Sequence, residues 1–260
     1  MTTLPVVTEE GASPRRAATA IDGPVTRAIE ELTRGARARL ARPKNFFTWL
    51  SLARRFELRA IRPLEVKVKV PAGTLPDCAA CTDVCCTGPN AIVSLRLRDI
   101  ARLMDRGLAH HVVHDRPSTT TGASTWARYE HETSVFARMF PVLSRDATGT
   151  CRLLDEDLQC TAWPDWPLSC ARYPYALDAL RKEVFLAKGC RSHRMVTLDD
   201  PPRSVVKLVD AAVESYNARI TDVILLHTAL EELASLGLVQ HLRLFGSLQK
   251  RAARLASPAG

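Results

Sequence analysis

Cys78-Ala-Ala-Cys81-Thr-Asp-Val-Cys85-Cys86 places four thiols within nine consecutive residues of this 260-residue chain. Cys151, Cys160, Cys170 and Cys190 follow, so all eight cysteines lie between residues 78 and 190. Thiols gathered in this way hold a metal or build a disulfide framework, and the redox compartment decides between the two. A chain of this length, 46% hydrophobic, buries a core without needing disulfides. Met1–Glu10 has no basic region followed by an apolar one, so no secretory leader is expected. Val223-Ile-Leu-Leu226 is far too short to span a bilayer. These features point to a reducing cytoplasmic setting, where clustered cysteines bind metal more often than they pair.

Pro76-Asp77 reads as a helix start with Asp77 as N-cap, and Gly88-Pro89 as its stop. On such a helix Cys78, Cys81 and Cys85, three and four residues apart, share one face within roughly 60° of arc, and Cys86 falls off it. An irregular knuckle would lose that arc but keep the local chelation. Three thiols on one face need a further ligand from elsewhere, and zinc and iron–sulfur clusters both accept four thiolates. A helix N-terminus at Cys78 would favour its thiolate. Eight cysteines divide into two four-thiolate sites or one larger cluster. His193, three residues after Cys190, is a substitute ligand, and Lys188, Arg191 and Arg194 can offset thiolate charge. For Cys151, Cys160 and Cys170, spacing alone is equally that of ordinary buried cysteines.

Outward from the cysteines, the pattern is mainly helical. Ile29, Leu32, Ala36 and Leu40 recur at helical spacing until Pro43, and a second helix carries Trp49, Leu52, Ala53 and Phe56. Val66–Val70 alternates as a short strand, as do Ile92–Leu95, Tyr175–Leu177 and Glu183–Leu186 less strictly. Asp99–Leu108 reads as a helix. Turn residues at Arg145–Gly149 and Asp155–Asp157 predict a small β-meander over Phe140–Thr161. After Pro202 apolar stripes run through Val205, Leu208, Val209 and Ala212, then Ile224, Leu225, Leu230 and Leu233. The expected fold class is α+β, mainly helical, with a small central Cys-rich β-meander flanked by N- and C-terminal helices. The expected organisation is a flexible tail over 1–23, a basic helical arm over 24–70, a cysteine-cluster metal-binding domain over 71–198 and a helical segment packed on it over 199–260.

The formal charge of +8 is uneven: residues 1–70 carry 14 Lys and Arg against 7 Asp and Glu, leaving +1 for the rest. A basic arm suggests an acidic partner, nucleic acid or anionic lipid. No nucleic-acid recognition motif accompanies it, so the preferred reading is the solvated faces of Arg-rich helices, with nucleic acid not expected as a partner.

The ordered motifs resemble the YkgJ-type cysteine-cluster family of zinc- or iron-chelating CxxCxxCC domains. The residues that carry the resemblance are Cys78, Cys81, Cys85 and Cys86, Ile92–Leu95 with Asp99, Gly149-Thr-Cys151-Arg-Leu-Leu154, Cys160, Trp166-Pro-Leu-Ser-Cys170-Ala-Arg-Tyr-Pro174, and Cys190. It covers roughly residues 75–192. The third gap here is x3 where the family has x2, and Trp166 stands where the family has Arg. Segments around Cys85–Cys86 and Cys170 are also similar to the flagellin lysine-N-methylase group, a longer protein whose methyl transfer does not carry over. The resemblance implies a zinc or iron site, the iron alone or in an iron–sulfur cluster, with all eight cysteines, Cys78 to Cys190, as ligands. Three functions are open: a thiolate metal-binding protein; an iron–sulfur enzyme in electron transfer or protein modification; and a zinc-stapled adaptor that presents its helices to a protein partner. No phosphate-binding loop or nucleophile elbow is present, and Asp99, Asp155, Glu156 and Asp157 read first as a helix cap and a solvated turn.

Overall fold

The computed structural model describes residues 23–54, 58–69, 74–75, 86–87, 92–115, 140–157, 160–162, 165–179, 181–186, 194–195 and 203–256. The expected helix over Cys78–Cys85, the segment around Cys190 and the tail 1–22 lie outside these residues.

Helix α1 (Pro24–Leu40) buries Ile29, Leu32, Ala36 and Leu40, the stripe its spacing dictates. Its first turn has no local side-chain cap. Asp105, 79 and 80 residues away, supplies it: the carboxylate accepts the backbone N–H groups of Thr26 at 2.7 Å and Val25 at 3.1 Å, and the Thr26 hydroxyl at 2.6 Å. Gly23 makes room for this contact, since a Cβ there would sit 2.2 Å from Asp105 Cγ. The chain turns at Pro43–Asn45 into α2 (Phe46–Arg54), where Leu52 is buried but Trp49 is exposed. The second helix expected to carry Trp49, Leu52 and Ala53 is thus present, and Phe56 lies outside the described residues.

Helix α3 (Leu97–Asp105) begins with Asp99 Oδ2 accepting the Arg96 N–H at 2.9 Å. The long helix α5 (Arg203–Thr228), then α6 (Leu230–Ser235) and α7 (Gly246–Ala256), form the C-terminal part. Ile100, Ile224, Leu225, Leu230 and Leu233 join the α1 stripe in one principal core. Each such side chain contributes about 1.5–3 kcal/mol by leaving water. Arg98 ties α3 to α1 and α5 at their rim, reaching Glu30 of α1 at 2.8 Å and Glu214 of α5 at 3.3 Å.

The strands are short and peripheral. β1 (Lys67–Lys69) runs parallel to β6 (Glu183–Leu186), which forms an antiparallel hairpin with β5 (Tyr175–Asp178). This sheet packs Tyr175 and Val184 against Val209 and Ala212 of α5, a second small core. Asn217 of α5 clamps the chain leading into β1, exchanging hydrogen bonds with the Ile61 N–H at 3.0 Å and C=O at 2.8 Å. β2 (Thr74–Leu75) pairs antiparallel with β7 (Arg194–Met195). β3 (Val112–Asp115) pairs antiparallel with β4 (Phe140–Leu143). The architecture is mainly helical α+β. The expected strand at Ile92–Leu95 is reduced to a single bridge, Ser94 to Val142 on β4. Beyond β4 the pairing is two isolated bridges, Arg145–Cys151 and Leu154–Cys160, each closing one of the turns read from the sequence.

Candidate metal centre

The four described cysteines come from three separate stretches of chain; Cys86 and Cys151 are joined through their backbones, and Cys86, Cys151 and Cys160 lie within electrostatic reach of Cys170. Cys86 and Cys151 join backbones: the Cys151 N–H donates to the Cys86 carbonyl at 2.8 Å. Cys151 is buried in the principal core, which also includes Leu143, Leu153 and Ala162, with Cys86 and Cys160 packed against that core. Cys160 sits opposite Leu154 in its bridge, and the next residue, Thr161, donates its N–H to the Leu153 carbonyl at 2.7 Å.

The turn ahead of Cys151 is built by Asp146. Its Oδ1 accepts from Thr148 N at 2.8 Å, Thr148 Oγ1 at 2.7 Å and Thr150 N at 2.9 Å. These donors hold its carboxyl below the usual range, Thr148 most strongly.

Cys170 lies on the short helix α4 (Leu168–Ala171), which α3 and the segment leading into it hold in place. Asp99 Oδ1 accepts the Leu168 N–H at 3.1 Å while Oδ2 holds Arg96. Ser169 Oγ donates to the Ser94 carbonyl at 2.6 Å, and its oxygen lies 3.1 Å from Ser94 Oγ. Burial pushes the Asp99 carboxyl up to about 6, against the two backbone donors and the charges of Arg96 and Arg102. Asp99 is thus a helix cap that also docks the Cys170 segment.

At the far end of α3, Arg106 donates from Nη1 to the Thr161 carbonyl at 2.9 Å and pairs with Asp165 at 3.4 Å. That fixes the connection between Cys160 and α4 at both ends.

The electrostatics follow from this gathering. Burial pushes the Cys170 thiol far above its ordinary value, and Cys86, Cys160, Cys151 and Asp99 push it further, because a thiolate there would face other negative charges. Cys151 is raised by burial, partly offset by the Leu153 N–H and by Arg145. A cation among these groups would reverse the penalty.

Among the described residues, no group of three or more His, Cys, Asp or Glu side chains is arranged to hold a metal ion. The donor chemistry suits a soft metal, but these four thiols do not complete a site by themselves. Cys78, Cys81, Cys85, Cys190 and His193 lie outside the described residues. One described contact bears on them: in the β2–β7 ladder Leu75, three residues before Cys78, pairs with Arg194, four residues after Cys190.

Sequence reasoning did not single out Ser94, Arg106, Asp165 or Ser169, whose contacts position the cysteine segments. Polar side chains that bond distant backbone leave no periodic trace; only Asp99, at a helix start, carried a signal. Comparison with protein-family models, with curated proteins and with solved structures gives no match, so the family resemblance stands on the motifs themselves.

Proposed function

We propose that this protein binds zinc or iron, the iron alone or in an iron–sulfur cluster, through cysteine thiolates. Cys86, Cys151, Cys160 and Cys170 contribute from the described core, and Cys78, Cys81, Cys85 and Cys190 from the segments around it. The observation that carries the reading is the approach of four cysteines from three separate stretches of chain, 84 residues apart at the extremes (170 − 86). Ordinary packing gives a buried cysteine no reason to sit where three other cysteines raise its pKa, as they do for Cys170. The β2–β7 pairing supports adding Cys78 and Cys190, because it joins the chain just before one to the chain just after the other.

A bound metal would supply the positive charge that converts these thiols into stable thiolates. The chain's own contribution is orientation: Asp99, Ser94 and Arg106 hold the Cys160–Cys170 segment, and Arg145 lies where it offsets thiolate charge beside Cys151. The packing of Cys86, Cys151 and Cys160 against the principal core favours a structural staple over an exchangeable site. That is the role the zinc-stapled adaptor reading requires.

Elemental analysis and a visible spectrum of protein purified without oxygen test the proposal. Stoichiometric zinc in a colourless protein selects the staple, and iron with sulfide and absorbance near about 400 nm selects the cluster. Cys151→Ser and Cys170→Ser should each lower metal content. Metal-free protein with eight titratable thiols, or metal content indifferent to both substitutions, would overturn it.

A further inference from the structure

Residues 32–56 carry seven Lys and Arg and no Asp or Glu, so nearly the whole +8 surplus of the chain is concentrated there. The same stretch holds Phe46, Phe47, Trp49 and Phe56. Residues 32–54 of it form the end of α1, the Pro43–Asn45 turn and α2.

Phe46, Phe47 and Trp49 are 53%, 81% and 43% exposed, while Leu52 turns inward and anchors α2 to the core. The three rings touch: Phe46 and Phe47 meet edge-on with centroids 5.6 Å apart, and Trp49 stacks on Phe46 at 6.2 Å. Single exposed apolar residues are ordinary, but a contiguous exposed aromatic knob marks a docking surface.

Beside the knob, a cleft of about 580 Å³ opens between the start of α2 and helices α5, α6 and α7. Its charged lining is Arg39, Arg42, Lys44 and Arg251 against Glu231 and Glu232. Glu232 is already engaged by Arg39 at 2.6 Å. Arg42, Lys44 and Arg251 therefore outnumber the one remaining carboxylate.

We propose that this face docks on an anionic lipid surface. The Phe46–Phe47–Trp49 knob enters the headgroup boundary, and Arg42, Lys44 and Arg251 meet lipid phosphates at the rim. Rings that are apolar at the tip and cations set beside them match the two layers of that boundary. A second copy of this chain would bring like charges together and is disfavoured. Single-stranded nucleic acid needs open, separated ring faces for successive bases. Here Trp49 covers one face of Phe46, and the rings form a single block. Docking would be peripheral, since no helix among the described residues is long and apolar enough to cross a membrane.

Co-sedimentation of the full chain tests this, with vesicles of phosphatidylcholine alone and of phosphatidylcholine and phosphatidylglycerol in equal parts. Binding is expected only to the anionic vesicles, and to fall steeply with salt. Each neutralised cation, Arg42→Gln or Lys44→Gln, should weaken it about five-fold. Phe47→Ser should weaken it about ten-fold or more while leaving the thermal melt unchanged, because that ring makes little contact with the fold. Equal binding to both vesicle types, no binding to either, or binding indifferent to Phe47→Ser would overturn the proposal. Phe47-dependent binding to oligothymidylate without vesicle binding would also overturn it, in favour of nucleic acid.

Discussion

Arg106→Met is the most informative single substitution for how the cysteine region is held. The Arg106 guanidinium lies 3.4 Å from the Asp165 carboxylate, with side chains only 9% and 8% exposed. Two unit charges at that separation attract by about 4–5 kcal/mol at an effective dielectric constant of about 20. Desolvation offsets most of this, so the net worth of the intact pair is small. Removing one partner is a different event. Met keeps the apolar stem but leaves the Asp165 charge buried without this cation, and it deletes the donor to the Thr161 carbonyl. The expected loss is about 3–5 kcal/mol of unfolding free energy.

Asp165→Asn should cost less, because Arg106 retains Thr161. Combining Arg106→Met with Asp165→Leu should recover part of the loss, with non-additivity of about 1–3 kcal/mol. Urea unfolding followed by circular dichroism gives these values, provided the denaturant slope is unchanged. The reaction rate of Cys160 and Cys170 with a thiol reagent should rise in parallel, since the segment between them is released. If Arg106→Met lies within about 0.5 kcal/mol of the parent, the range of an ordinary surface change, and the cycle is additive, the pair does not hold this loop.

Other expectations follow from the same geometry. His114 and His241 are held below the usual imidazole value of 6.5 by burial, and His114 further by Arg243. Depressed folded pKa values mean that the unfolded chain binds more protons; their contribution, present above pH 6.5, is lost as pH falls through the folded values. His114→Gln should therefore reduce the loss of unfolding free energy between about pH 7 and pH 5. The two glycines of the α1 region should respond in opposite directions. Gly23→Ala forces its Cβ into Asp105 and should cost about 1–3 kcal/mol, whereas at Gly35 a Cβ meets only Arg39 Nε at 3.9 Å and Ala should add about 0.5–1 kcal/mol, both read from thermal melts. Chelation of bound metal should open residues 78–190 to protease while α5, α6 and α7, which bury Ile224, Leu225, Leu230, Leu233 and Leu248, stay protected; unchanged digestion after verified metal loss would point to a labile site.

What the sequence makes legible here is what repeats. Ile29, Leu32, Ala36 and Leu40 announce α1 because each faces the same core once per turn, and Pro43 announces its end. Ile100 and Leu103 do the same for α3, and the hairpin of β5 and β6 shows in short alternating runs. Trp49 and Leu52 announce α2 by their helical spacing, but spacing does not show that the Trp49 ring belongs to an outward cluster with Phe46 and Phe47. Asp105 capping α1, Asn217 clamping Ile61, and Ser169 meeting Ser94 are invisible for another reason. Each is one polar side chain meeting one distant backbone group, a pairing set by how the helices cross rather than by any local pattern. The cysteines fall between these cases: spacing flags Cys78, Cys81 and Cys85, but the approach of Cys86, Cys151, Cys160 and Cys170 depends on tertiary contacts.

Those contacts converge on α3. Just before it, Ser94 receives Ser169; at its start Asp99 grips Leu168, and at its end Arg106 grips Thr161 and Asp165. The segments of Cys160 and Cys170 therefore hang on both ends of one nine-residue helix. Its own position is fixed from the other side by Asp105 on α1, by Asp222 of α5 accepting the Leu97 N–H at 3.3 Å, and by the Arg98 pairs. Placement of the thiols is thus inherited from a helical core that contains few of them. The Cys160 and Cys170 segments therefore take their positions from the packing of α3 against α1 and from the polar contacts at its two ends.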